Sequence, residues 1–309
     1  MNHTTITQVI LIGLTSHRTT QIALFVVILI AYLITMVSNL LIIMLVQWDS
    51  RLHTPMYFFL SNLSGLEMCF VSSIVPQMLA HLLVGSGRIS FHRCIAQMYI
   101  TCSLGCTEGL LLGAMAYDRY LAICYPLLYA RVMSRDRCSL LAVASWAGAF
   151  SLSGLITACI LQLPFCGPNR INHFSCEFIM VLKLGCADTH FIEVIIFVVC
   201  IFILVIPLFA ILASYGLIIM SVLHMSSGAG RNKAFSTCTS HLLVVTMFYA
   251  CLIALYMRVQ SGRDPGNDKY VAIFYVVFTP LLNPVIYTLR NKEVHAALRM
   301  LPWGRGATG

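Results

Sequence analysis

The stretch QIALFVVILIAYLITMVSNLLIIMLV, from Gln21 to Val46, contains no charged residue and decides the class of fold. A helix needs about 20 mostly apolar residues to cross a bilayer, and this stretch exceeds that length. The whole chain has the same character, because 59% of its 309 residues are hydrophobic and 10% are Asp, Glu, Lys or Arg. Soluble domains carry about 25% charged residues. The composition therefore excludes a soluble enzyme or secreted domain, and its hydrophobicity excludes a disordered chain.

Six further apolar stretches predict an all-α membrane protein with a bundle of seven transmembrane helices. The predicted spans are Gln21–Val46, Pro55–Leu83, Ile95–Ile123, Leu140–Leu163, Phe191–Leu223, Ala234–Met257 and Tyr270–Leu289. These spans and their connections use nearly the whole chain. We therefore expect a single domain over residues 1–309, with an extracellular N-terminus at 1–20, a helix bundle at 21–289 and a cytoplasmic tail with a short helix at 290–309.

Three signals predict that the N-terminus lies outside the cell. Asn2 begins the sequon Asn-His-Thr, which makes it a candidate glycosylation site. With this orientation eleven Lys and Arg residues fall on the cytoplasmic side and eight outside, as the positive-inside rule favours. An even number of cysteines falls outside, which suits disulfides in an oxidising compartment. These are Cys94, Cys166, Cys176 and Cys186.

The formal net charge of +8 is mostly a consequence of this topology. The basic residues form no extended cluster, so we expect no nucleic acid partner and regard membrane lipid as the surrounding partner. Four outer cysteines allow three disulfide connectivities, and the residues alone leave that choice open.

Two carboxylates, Glu67 and Glu108, fall inside predicted spans, where ionisable groups are costly and are functional candidates. With Ser64 and Asn283 they could bind a monovalent cation. The alternative is that both are protonated and bonded to neighbouring groups.

A site for a soft metal ion such as copper or zinc is a weaker prediction, because Cys102 and Cys106 make an incomplete ligand shell. Apart from the monovalent cation considered at Glu67, Glu108 and Asn283, we therefore expect neither a metal nor a cofactor.

Asp118, Arg119 and Tyr120 end the third predicted span at the cytoplasmic interface. An adjacent acid and base there can hold each other until the arginine is released to a partner. The alternative is an interfacial arginine that extends its side chain to water.

In the seventh span, Pro284 follows Asn283 and removes a backbone donor, so a kink is expected there.

Five blocks of this sequence together resemble the olfactory receptors, a group of rhodopsin-like G protein-coupled receptors. The resemblance runs from about Gly13 to Val294. The blocks are LHTPMYFFLSNLS (Leu52–Ser64), MAYDRYLAICYPLLY (Met115–Tyr129), LPFCGPNRINHFSCE (Leu163–Glu177) with Cys186, KAFSTCTSHL (Lys233–Leu242) and PLLNPVIYTLRNKEV (Pro280–Val294). Glu67 is a departure, because the family usually has Asp at that position.

The resemblance implies roles for matching residues. It implies disulfides from Cys94 to Cys176 and from Cys166 to Cys186, with Cys94–Cys186 as the alternative. Arg119, flanked by Asp118 and Tyr120, would be the switch that engages a G protein. Tyr215 and Tyr287 would support the switch, and Lys233 would lie at the moving inner end of the sixth helix. The implied partners are an odorant and the olfactory stimulatory G protein, which raises cyclic AMP in the plasma membrane of sensory cilia.

Family ligands bind between the third, fifth, sixth and seventh helices, and the matching residues here are mostly apolar. Helical spacing places the third-helix candidates on one face. The predicted ligand-binding residues are Met98, Thr101, Cys102, Gly105, Cys106, Val199, Cys200, Ile203, Tyr249, Leu252, Ile253, Tyr256, Ile273 and Val276. No buried Asp, Arg or Lys faces this set, so we expect a small, neutral, mainly apolar ligand oriented by one or two hydrogen bonds.

Two alternatives stay open at this point. One is a non-olfactory receptor of the same superfamily. The other is a transporter or channel that uses Glu67 and Glu108 as an ion path, although the sequence shows no inverted repeat. An enzyme is not expected, because no nucleophile and base occur together in the spans.

Overall fold

A computed structural model describes residues 6–166, 169–224, 228–260 and 268–289, together with Val294 and Ala297. Within these, residues 228–237, 256–260, 268 and 288–289 are described by their backbone alone. Seven helices in the described part of the chain are long and apolar enough to cross a membrane. The glycosylation candidate Asn2 and most of the predicted C-terminal helix lie outside the described residues.

The seven helices extend the predicted spans by a few residues at most of their ends. They are the first (Arg18–Trp48), second (Pro55–Val84), third (Phe91–Cys124), fourth (Arg135–Leu161), fifth (His190–Leu223), sixth (Gly228–Gln260) and seventh, which runs through Asp268–Ile273, Phe274–Phe278 and Thr279–Leu289. A short helix, Pro126–Val132, follows the third. The prediction of a seven-helix membrane protein is confirmed.

Local chemistry fixes several of these helix ends. The hydroxyl of Ser90 accepts a hydrogen bond from the backbone of Arg93 and caps the third helix. Ser134 caps the fourth helix in the same way. The second helix begins at Pro55 and ends at Val84, and it is capped by Gly85, whose φ of 74° is a left-handed conformation that suits glycine. These polar caps lie outside the apolar stretches, which is why hydropathy alone places the ends a few residues too far inward.

One end of the bundle carries a small three-stranded sheet and both disulfides, and we call it the disulfide end. Strand β1 (Gln8–Leu11) pairs antiparallel with β2 (Arg88–Ser90) and parallel with β3 (Arg170–Ile171). The segment that precedes the first helix is therefore held between two loops. The opposite end carries Arg119, and we call it the arginine end.

Two disulfides fasten the long loop between the fourth and fifth helices. Cys94, in the first turn of the third helix, is bonded to Cys176. Cys166 is bonded to Cys186 within the loop. These are the pairings that the resemblance implies. Both Cys94 and Cys176 are fully buried, so the loop descends onto the bundle at this point.

The third helix lies at the centre and packs against the second, fourth, fifth and sixth helices. The outward faces carry large exposed apolar residues such as Val37, Leu140 and Phe209. A soluble fold would bury these, whereas hydrocarbon surrounds them in a bilayer. Single π-helical turns interrupt the fifth helix at Ile201–Val205 and the seventh at Phe274–Phe278, and such turns often occur at functional sites.

Loss of the Cys94–Cys176 disulfide should prevent most of the protein from folding. The two cysteines are 82 residues apart, and closing a loop of that length removes about 4 kcal/mol of unfolded-chain entropy. We expect Cys94→Ser to lose most of the correctly folded protein at the cell surface, measured by flow cytometry with an N-terminal tag.

Cys69→Ser is the matched control, because Cys69 is an exposed free cysteine. We expect this variant to reach the surface at the level of the unmodified protein. Equal surface levels for the two variants would contradict the structural role of the disulfide.

Candidate functional site

A cavity of about 150 Å³ lies between the helices beneath the long loop at the disulfide end. Its third-helix wall is formed by Met98, Thr101, Cys102, Gly105 and Cys106, which recur at helical spacing on one face. The remaining lining comes from the long loop and from the second, fifth, sixth and seventh helices. These residues are Phe70, Ile74, His173, Ser175, Glu177, Phe178, Ile179, Met180, Leu204, Leu252, Leu255, Tyr275 and Val276.

A glycine allows the seventh helix to approach the third at the floor of the cavity. A Cβ atom on Gly105 would lie 3.3 Å from the hydroxyl oxygen of Tyr275. That hydroxyl donates to Glu108 Oε2 at 3.4 Å. The Tyr275 ring also packs edge-on against Phe70 and Phe248. Tyr275 therefore forms the floor of the cavity on one side and contacts a buried carboxyl group on the other.

The long loop supplies the polar groups of the cavity roof. His173 Nδ1 lies 3.0 Å from Ser175 Oγ, and His173 Nε2 lies 3.6 Å from Glu177 Oε1. The imidazole is buried and stacks on the Phe174 ring. The backbone N–H of Cys176 donates to Gln97 Oε1 at 2.9 Å, which fixes the roof to the third helix. The cavity is thus apolar around its sides and polar at its top.

The structure places thirteen of the fourteen predicted ligand-binding residues in three settings. Seven line the cavity: Met98, Thr101, Cys102, Gly105, Cys106, Leu252 and Val276. Cys200, Tyr249 and Ile253 line a separate groove between the fifth and sixth helices, which Leu252 also reaches. Val199, Ile203 and Ile273 pack among other helices instead. The side chain of Tyr256 lies outside the described residues.

Sequence reasoning missed the roof and one wall of the cavity. His173 and Glu177 were visible as a polar cluster in the long loop, but periodicity cannot place a loop above a cavity. Phe70 and Ile74 lie one helical turn apart on the second helix, which the resemblance did not include in the pocket. Within the described residues, no group of three or more His, Cys, Asp or Glu side chains is arranged to hold a metal ion.

At the arginine end, Arg119 is paired with its neighbour Asp118. Arg119 Nε donates to Asp118 Oδ2 at 2.8 Å, and the other carboxylate oxygen accepts from the hydroxyl of Tyr129 at 2.7 Å. Tyr129 lies on the short helix Pro126–Val132. Burial and the charge of Asp118 raise the pKa of Tyr129, so its hydroxyl stays protonated and remains a donor. The arrangement holds the arginine against the third helix.

Other residues of the predicted switch lie in the same half of the bundle. The hydroxyl of Tyr215 on the fifth helix lies 2.5 Å from Nδ1 of His241 on the sixth. Tyr287 is buried, and its hydroxyl has no hydrogen-bond partner among the described residues. Tyr120 makes an edge contact with the Tyr125 ring. The side chain of Lys233 lies outside the described residues.

A polar cluster occupies the middle of the bundle. Asn283 donates from its side-chain amide to Glu67 Oε1. The second carboxyl oxygen of Glu67 and the amide oxygen of Asn283 are buried and have no partner in the described part of the chain. Ser64 is also buried, one turn before Glu67 on the second helix. The cluster therefore offers acceptor oxygens in a setting where each unpaired polar group is costly.

Comparison with known families and proteins gives a consistent result over nearly the full chain. A family model described as "Olfactory receptor" matches residues 28–302. The chain is 48% identical to human "Olfactory receptor 2D2", over 97% of this chain and 96% of that protein. It is 47% identical to mouse "Olfactory receptor 2C1", over 97% of this chain and 96% of that protein.

Among solved structures, the fold is similar to that of squid rhodopsin. The TM-score is 0.73 at 18% sequence identity, and the match covers 94% of this chain and 83% of the rhodopsin chain. At this identity the likeness concerns the fold, a rhodopsin-like bundle of seven helices.

Proposed function

The chain belongs to the olfactory receptor family, and on that basis we propose that it binds a small, neutral, mainly apolar odorant in the cavity beneath the long loop. We propose further that binding activates a stimulatory, olfactory-type heterotrimeric G protein and so raises cyclic AMP. The observation that supports the ligand class is the lining of the cavity, which is apolar except at its roof and at Thr101. The transporter or channel alternative finds no support in relatives that carry the names of olfactory receptors.

The arrangement of polar groups supports an orientation for the bound odorant. The hydroxyl of Thr101 donates to the backbone carbonyl of Gln97, so this oxygen is free to accept a bond from a ligand. His173, Ser175 and Glu177 present further donors and acceptors at the roof. An odorant with one alcohol, aldehyde or ester group would place that group upward and its hydrocarbon downward toward Tyr275.

The orientation of the protein in the membrane follows from the same reasoning. We propose that the disulfide end faces outward and the arginine end faces the cytoplasm, in the plasma membrane and, as in the family, in the cilia of olfactory neurons. Disulfides persist in the oxidising extracellular medium. The paired Arg119 would then lie where a cytoplasmic G protein can reach it.

Tyr275 gives a route by which the odorant could influence the rest of the bundle. An odorant against the cavity floor would press on Tyr275, whose hydroxyl contacts Glu108. Glu108 is buried in the third helix, ten residues before Asp118. A shift of the third helix would change the pairing that holds Arg119. Binding energy that favours the shifted state would then favour the active receptor.

A monovalent cation at the middle of the bundle is a second proposal. The unpartnered oxygens of Glu67 and Asn283 support it, because hard cations prefer carboxylate and amide oxygens. A bound cation would satisfy these acceptors and stabilise the arrangement in which they converge.

Filling the cavity should remove the response to odorants. Gly105→Leu places a branched side chain against Tyr275 inside the cavity. A cyclic AMP reporter assay over a chemically broad odorant panel identifies agonists of the unmodified receptor. For these agonists we expect Gly105→Leu to raise the EC50 by about tenfold or more, because the leucine side chain fills most of the cavity space that the odorant would occupy.

Gly148→Leu is the matched control, since a Cβ atom at Gly148 meets no other atom within 4 Å. Its EC50 should equal that of the unmodified receptor at equal surface expression. Responses of Gly105→Leu that match the control would place the odorant outside this cavity.

Loosening the Asp118–Arg119 pair should raise signalling without an agonist. Tyr129→Phe removes a hydroxyl donor to Asp118, and a hydrogen bond to a charged group contributes about 1.5–3 kcal/mol. We expect a several-fold increase in basal cyclic AMP from Tyr129→Phe and loss of agonist-stimulated cyclic AMP from Arg119→Ala. Tyr32→Phe is the control, because it removes an exposed hydroxyl bonded to Ser72. Unchanged basal signalling in Tyr129→Phe would show that this bond does not restrain the receptor.

Sodium should stabilise the purified receptor if the cation proposal holds. We expect the unfolding temperature to rise by a few degrees when sodium chloride replaces choline chloride at equal ionic strength, since a ligand of the folded state stabilises it by mass action. Glu67→Gln should abolish that difference, and Glu193→Gln, at an exposed position, should retain it. An equal sodium effect in Glu67→Gln would rule out the site.

A further inference from the structure

A groove of about 560 Å³ lies between the fifth and sixth helices and opens on the side of the bundle. Two of its lining residues, Phe197 and Ile253, are 61% and 54% exposed. Both belong to membrane-spanning helices, so this opening faces the hydrocarbon of the bilayer rather than water. The polar lining residues Thr189, Lys183 and Glu193 lie at the start of the fifth helix or in the loop before it, at the disulfide end. The remainder is almost entirely apolar.

The groove adjoins the cavity beneath the long loop, and the two spaces share part of their lining. Phe178, Ile179, Leu204 and Leu252 line both spaces, so they form a partition between them. Leu204 belongs to the π-helical turn of the fifth helix, and its carbonyl accepts a hydrogen bond from the hydroxyl of Tyr249 at 3.2 Å. Rotation of apolar side chains is fast compared with movement of a packed loop. The partition is therefore the more easily opened boundary of the cavity.

The boundary toward the disulfide end is held by bonds of several kinds. The loop above the cavity is bonded through Cys176 to Cys94, and the backbone N–H of Cys176 donates to Gln97. Strand β3 of the same loop is paired with β1. A path from water through this roof would have to break these contacts, whereas a path from the bilayer requires the four partition side chains to move.

We propose that the groove is a lateral portal, in which a neutral apolar odorant dissolved in the bilayer binds before it crosses the partition into the cavity. The inference rests on the proposed odorant site in the cavity. The volumes agree with it, because small-molecule pockets typically measure about 300–1,000 Å³. The cavity is smaller than that range and the groove falls within it. Opening the partition joins the two spaces along the path of the odorant.

The bilayer also favours this path because it concentrates apolar odorants. Each methylene group that leaves water for an apolar phase gains about a fourfold preference. A medium-chain odorant is therefore far more concentrated in the membrane beside Phe197 and Ile253 than in the water above the roof. An entrance that opens to the bilayer is therefore exposed to the higher odorant concentration.

A variant that blocks the portal should change the rates of the response, whereas a variant that damages a binding site should change the EC50. Val205 and Leu208 line the groove and take no part in the cavity. Val205→Trp or Leu208→Trp should narrow the groove and slow both the onset and the washout of the cyclic AMP response by about fivefold or more. The EC50 should stay the same, because a barrier on the path changes the two rates equally. The agonist is a medium-chain aliphatic alcohol, aldehyde or ester to which the unmodified receptor responds.

Leu212→Trp is the control, since Leu212 is exposed on the fifth helix outside the groove and should leave both rates unchanged. Surface expression of each variant is measured, and two groove variants guard against loss of one to misfolding. Wild-type rates in both groove variants would overturn the portal, as would a changed EC50 with unchanged rates. Failure of the odorant site itself is a separate result, seen as an unmodified receptor that responds to no member of the panel.

Discussion

The cavity depends on the attachment of the long loop to the third helix by the Cys94–Cys176 disulfide. Covalent attachment at Cys176 brings His173, Ser175 and Glu177 over the bundle and fixes them within a few residues of the bond. Gln97 strengthens the attachment by accepting from Cys176 and donating to the backbone of Ser73 on the second helix. One turn of the third helix thus carries the roof, and the next turns form the wall. Displacement of the loop would open the cavity to water and remove its polar end.

The bilayer imposes the rest of the organisation, because hydrocarbon cannot satisfy a polar side chain. Several polar groups of the helices are accordingly directed inward and bonded to a group on another helix, as in Glu67 with Asn283 and Tyr215 with His241. Hydroxyl groups such as Thr35 and Thr107 donate to a carbonyl of their own helix. Each cross-helix pair joins elements that must move relative to one another if the receptor changes state. The contacts that stabilise the bundle are therefore also the contacts that a ligand can alter.

Much of the fold could be predicted from the sequence, since seven apolar stretches leave few alternatives. Hydropathy does not detect polar caps, so the predicted third helix begins at Ile95, whereas the helix begins at Phe91 after its cap at Ser90. Strand β1 was not predicted, because four residues of mixed polarity form a strand only when two loops lie on either side. The third-helix wall of the cavity could be predicted, because helical spacing places its residues on one face of that helix. The roof could not be predicted, because the path of a loop is set by its disulfides, and Tyr129 was missed because its partner Asp118 is brought close only by the turn after Tyr125.

The small size of the cavity has a consequence for how this receptor could respond to its ligand. A space of about 150 Å³ holds few atoms beyond a short chain, so a larger odorant must displace part of the lining. The least firmly held parts are the partition toward the groove and the Tyr275 side chain, whose hydroxyl contact with Glu108 is long at 3.4 Å. The partition lies between the fifth and sixth helices, which also contact each other through Tyr215 and His241 near the arginine end. An odorant that enters the proposed site from the groove would therefore act on the same pair of helices that contact each other near Arg119.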